Sequence, residues 1–80
     1  LPARVWLIDA KRRPGEVLPF LLGKDYHLFL LRDRKGRIFG FFKEEELSSL
    51  SGENLSLSFY RLWRKRKGDP FFLSKKVDNP

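Results

Sequence analysis

Chemistry in this chain has to come from a short list of side chains. Among 80 residues there is one histidine, His27, and no cysteine. A multi-histidine or thiolate metal site, a thiol nucleophile and a disulfide are therefore excluded together, and the redox compartment stays open. A lone histidine on a strand is more often simply solvated than catalytic. Glu44, Glu45 and Glu46 are consecutive, so they cannot converge on one face as a paired acid and base, and they suit the first turn of a helix instead. No serine stands in a nucleophile elbow and no phosphate-binding GxxxxGK[ST] occurs. Catalysis is not expected, and neither is a cofactor. What remains is recognition chemistry. Between Asp25 and Leu47, and again where Trp63 adjoins the basic run Arg64, Lys65, Arg66, Lys67, rings stand among cations. Rings offer π-faces to bases and cations attract phosphates, the pairing a single-stranded nucleic acid uses. The plain alternative for the basic run is a solvated turn.

Size and composition bound the rest. A chain of 80 residues makes one domain, because it buries only about 60% of its unfolded surface and cannot support two cores. Hydrophobic residues make up 41% and aromatics 15%, enough to fold against 34% charge. Seventeen Lys and Arg against ten Asp and Glu give a formal net charge of +7, which points towards anionic partners. No apolar run approaches the roughly 20 residues of a membrane-crossing helix, so no membrane partner is expected and the chain is placed in the cytoplasm. Methionine is absent even at position 1, and the chain is read as a piece of a longer protein or complex.

The elements that must position these residues read as mostly strand. Tyr26 to Leu31 is apolar or aromatic except for His27, and Ile38 to Phe42 is a second such run. RDRKG joins them, so the pair reads as a β-hairpin. Upstream, Val5 to Ile8 suits a short strand or the end of a neighbouring element, KRRPG is a charged turn, and Glu16 to Leu22 reads as a bent strand, because Pro19 cannot donate to a ladder. Downstream, EEELSSL fits a short helical turn, with Leu47 and Leu50 on one face. Leu55, Leu57 and Phe59 alternate with Ser56 and Ser58 at the period of a half-buried strand. Arg64 to Pro70 is then a basic turn, and Phe71 to Ser74 a last strand. Four or five strands with one helical turn between the third and fourth predict an all-β, small five-stranded barrel of OB type.

The landmarks Gly15-Glu16-Val17, Asp25-Tyr26-His27-Leu28-Phe29-Leu30, Gly40-Phe41-Phe42-Lys43-Glu44-Glu45-Glu46-Leu47, Gly52-Glu53-Asn54-Leu55 and Leu73-Ser74-Lys75-Lys76 follow one another in order. This order resembles the S1 RNA-binding domain, an OB-fold module. The resemblance implies residues 15–77 as an S1-like barrel, residues 1–14 as an N-terminal strand or linker, and residues 78–80 as a frayed tail. It also implies binding of RNA or single-stranded DNA through Tyr26, Phe29 and Lys43, with Arg64, Lys65, Arg66 and Lys67 as the cationic rim. Trp63 joins these on its own position beside the basic run. The chain departs from the family at His27, Lys43, Glu45 and Trp63, and the stretch between Leu47 and Gly52 is short. Tyr26 and Phe29 are three apart, so a regular strand points them to opposite faces, and either ring could be core. Phe39, Phe41 and Phe42 are read as core and interface.

Two rival readings stand beside this one. Leu28 to Leu47 also resembles the strand-strand-helix piece of a CBS domain, with Asp33, Gly36 and Gly40 in its Asp-x-x-Gly-x-x-x-Gly rhythm; that resemblance implies a ligand-sensing half-module. The family needs a longer helix before the first of those strands, where GEVLPFLLGKD offers a proline-interrupted fragment. The other rival is a protein-interaction domain whose basic charge meets an acidic partner.

Overall fold

Three strands lie side by side in one mixed sheet, in the order β1-β2-β3. The structure, a computed structural model, describes residues 4–21 and 23–68. In chain order come β1 (Val5–Asp9), α1 (Pro14–Leu21), β2 (Leu28–Arg32), β3 (Ile38–Lys43), α2 (Glu44–Ser48), a 3-10 turn (Gly52–Ser56) and α3 (Phe59–Gly68). β1 runs parallel to β2, with Val5 opposite Leu28 and Asp9 opposite Arg32. Parallel strands need a crossover connection, and α1 provides it. β2 and β3 are antiparallel, Phe29 facing Phe42.

The hairpin, β1 and the helical turn after β3 stand where the sequence placed them. The closed five-stranded barrel does not form: among the described residues the sheet has three strands and stays open, and the molecule is a mixed α/β unit. Two expected strands are helices. Glu16 to Leu22 was expected as a bent strand, yet α1 begins with Pro14 at its first position, where the missing N–H costs nothing. The Glu16 carboxylate accepts from the Arg13 amide at 3.2 Å, and Pro14, Leu18 and Leu21 share the buried side at i, i+4, i+7 spacing. Pro19 deprives only the Gly15 carbonyl of its helical donor.

The second correction concerns Leu55 to Phe59 and the basic turn after it. The alternation of Leu55, Leu57 and Phe59 is coincidental with a 3-10 turn that closes through Leu57 N–H to the Asn54 carbonyl at 3.4 Å. From Phe59 onward the governing period is helical: Phe59 and Leu62 are buried, Trp63 is half-buried, and Arg66 completes the i, i+3, i+4, i+7 face. Ser58 caps this helix, its Oγ accepting from the Arg61 amide at 3.2 Å. The strand expected at Phe71 to Ser74, the Leu73 to Lys76 landmark and the 78–80 tail lie outside the described residues.

One core joins every helix to one face of the sheet. Ile8, Phe29, Leu31 and Phe42 project from the strands onto Leu18, Leu21, Leu47, Phe59 and Leu62 from the helices. Burying each such side chain is worth about 1.5–3 kcal/mol, and Phe42 meets Phe59 with ring centroids 6.2 Å apart. The opposite face of the sheet contributes nothing to this core.

Candidate functional site

The β2–β3 turn is built by one carboxylate. Asp33 Oδ1 accepts from the amides of Lys35 and Arg37, both at 2.9 Å, and Oδ2 accepts from Arg37 Nε at 3.1 Å. The Arg37 backbone N–H, foremost among these donors, holds the Asp33 carboxyl below its ordinary pKa. Gly36 takes a positive φ of 81°, which a side chain would resist. Beyond the turn the register shifts: Leu31 pairs with Gly40 but Arg32 pairs with Ile38, so Phe39 is the extra residue of a bulge. Phe39 thereby turns to the core side and meets Trp63 of α3 edge-on, centroids 5.1 Å apart.

The residues expected to bind nucleic acid do not assemble into one surface. Phe29 is fully buried and cannot stack on a base. Tyr26 is half-buried between Trp6, 5.0 Å from it by ring centroids, and the guanidinium of Arg4 at 5.1 Å. Trp63 packs against Gly40, so close that a Cβ there would stand 2.3 Å from its indole nitrogen; Lys67 Nζ covers it at 4.8 Å. Arg66, expected on the cationic rim, is instead a buckle. Its side chain is 17% exposed, donates to both carboxylate oxygens of Glu46 at 2.7 Å and to the Phe41 carbonyl at 2.6 Å, and lies 4.5 Å over the Phe42 ring. Glu46 also accepts from the Lys43 amide at 2.8 Å, so Lys43 serves as the N-cap of α2. Arg64 is exposed beside Tyr60, 5.8 Å from its ring, and Lys65 is exposed.

Two surfaces carry what sequence reasoning missed. The first is the open face of the sheet, whose register rows are Val5–Leu28–Lys43, Leu7–Leu30–Phe41 and Asp9–Arg32–Ile38. Val5, Leu7, Ile38 and Phe41 are 41, 47, 47 and 43% exposed, with Leu28 and Leu30 half-buried among them. The second is a mouth of about 680 Å³ at the carboxyl ends of β1 and β2, walled by Phe39, Tyr60 and Trp63 and edged by Lys11, Arg32 and Arg34. The helical spacing from Phe59 to Arg66 was the signal that could have exposed the mouth, since it puts Tyr60 and Trp63 on adjoining positions of one helix.

Among the described residues no three of His, Asp and Glu gather as a metal set, and no helix is long and apolar enough to cross a membrane. No protein-family model matches the chain, and no curated protein or solved structure matches it.

Proposed function

We propose that this chain is a half-module of the ligand-sensing kind, working as a pair in which its open sheet face closes on the like face of a second copy. The observation that carries this reading is the uncovered apolar surface of Val5, Leu7, Ile38 and Phe41. Exposed apolar area concentrated on one sheet face marks a contact surface, and a two-fold pair uses one patch on both partners. Every helix among the described residues packs on the opposite face, which supports this face as the one a partner covers.

Two features support the half-module reading over a free-standing binding domain. The order α1-β2-β3-α2 supplies a helix where the proline-interrupted fragment had argued against the CBS-like resemblance. Each residue of the Asp-x-x-Gly-x-x-x-Gly rhythm also has a geometric task. Asp33 closes the turn, Gly36 takes the positive φ, and Gly40 admits Trp63.

Sedimentation equilibrium tests the pairing. The wild-type chain is expected to form a concentration-dependent dimer. Leu7→Glu combined with Ile38→Glu, both on exposed positions, should give a monomer with unchanged circular dichroism. A wild-type monomer at every soluble concentration, or a double variant that dimerises as well as the wild type, would falsify it.

A further inference from the structure

We infer that the outer side of α3 is a docking site for an acidic peptide, a segment that carries an aliphatic or aromatic side chain between carboxylates. This goes beyond the pairing reading and does not depend on it, because α3 packs on the sheet face opposite the open one.

The site is a groove of about 360 Å³ lined by Leu57, Tyr60, Arg61, Arg64 and Lys65. Positions 60, 61, 64 and 65 adjoin on one side of a helix, and no acid lines the groove. The helix sorts its cations between two sides. Arg66 is held by Glu46 and Lys67 covers Trp63, whereas Arg61 and Arg64 are exposed and form no ion pair with a described residue.

Arg61 stands where the helix itself disfavours it. The first turn of α3 holds no acid, although the helix dipole favours negative charge there, and its third position is a cation instead. Arg64 follows three positions on and Lys65 four, a spacing at which like charges repel. Carboxylates of a partner would relieve a repulsion that Arg61 and Arg64 have no described acid to offset.

The floor of the groove favours a peptide over a nucleic acid. Leu57 is half-buried and Tyr60 is 44% exposed, so an apolar strip lies between the cations. A side chain can rest on it, whereas a phosphate backbone has no use for it. The Arg64 guanidinium lies over the Tyr60 ring at 5.8 Å, and Phe39 meets that ring edge-on at 5.9 Å. A ring already covered by a cation is a poor platform for a base. Tyrosine and arginine are also the side chains that most often anchor protein interfaces.

Fluorescence anisotropy on the full chain tests this with a fluorescein-labelled Glu-Glu-Leu-Glu-Glu peptide whose termini are blocked. It should bind at low salt and be released as salt rises. Glu-Glu-Gly-Glu-Glu and Gln-Gln-Leu-Gln-Gln should each bind at least about tenfold more weakly, since each lacks half of what the groove recognises. Arg61→Glu and Arg64→Glu should each weaken the first peptide by about tenfold, while Arg61→Glu keeps or raises the urea midpoint, because the reversal suits the helix dipole. Lys24→Glu, at an exposed position outside the groove, changes the net charge equally and should leave the affinity within about twofold. Should either reversal unfold the chain, Arg61→Gln or Arg64→Gln replaces it, with weaker binding again expected. The site is overturned if the peptide does not bind at low salt, if either control peptide binds as well, or if neither groove variant alters the affinity. It is equally overturned if Lys24→Glu weakens binding as much as they do, or if a uridine oligonucleotide displaces the labelled peptide more readily than the unlabelled peptide does.

Discussion

Gly40 shows how one missing methyl group sets the geometry of α3 on the sheet. Trp63 occupies the space a Cβ would take, at 2.3 Å from the indole nitrogen, and the same indole forms the wall against Phe39. Gly40→Ala is therefore expected to cost about 1–3 kcal/mol, as overpacking does, and to move Trp63 into water; urea unfolding and a red-shifted tryptophan emission measure the two effects. Arg66 illustrates the converse. Its charge was legible in the sequence, but its employment was not, because the carboxylate it serves, Glu46, stands twenty positions earlier. A run of four basic residues looks uniform along the chain. On a helix the four point in different directions, and only Arg66 faces Glu46 and Phe42.

At the scale of elements, the hairpin is the part most local in its causes. Asp33 takes three bonds from residues within four positions, and these lower its pKa. A carboxyl whose folded pKa lies below its unfolded one stabilises the fold fully above the unfolded value, and that contribution disappears as pH falls through the folded value. The stability difference between wild type and Asp33→Asn should thus be constant near neutrality and shrink towards zero on acidification through the carboxylate range, read from urea midpoints against pH. A difference that persists at the lowest pH would remove the charged pairing as its cause. α1 and α3 were less legible. Pro19 and the serine-leucine alternation are strong local signals for something other than helix. They lose because Leu18, Leu21, Phe59 and Leu62 gain a core only in helical spacing.

For the whole molecule, the excess of seventeen cations over ten acids opposes compaction. The described ion pairs relieve little of it, because Arg66–Glu46 is the only one of them in which both partners are mostly buried. Screening should therefore help: the melting temperature is expected to rise from low to moderate salt, measured by thermal circular dichroism, since self-repulsion at high net charge destabilises the folded state. A melting temperature that falls over the same range would mean that attractive pairs outweigh the repulsion. The same excess charge is distributed unevenly. It gathers at the mouth and along α3, and leaves the open sheet face mainly apolar.

The amino-acid order alone determined what depends on neighbours in the chain: the strand-turn-strand from Leu28 to Lys43, its closure by Asp33 and Gly36, the acidic start of α2, the absence of thiol and multi-histidine chemistry, and the positive charge. Only the tertiary structure decided that β1 lies parallel to β2, that the sheet has three strands among the described residues, and that Phe29 is core while Phe41 is surface. The reason is physical. Alternation says that a strand has two unlike faces, but Phe29 and Phe41 are equally apolar. Which of them is swallowed depends on where α3 docks, and that is settled by packing between segments far apart in sequence.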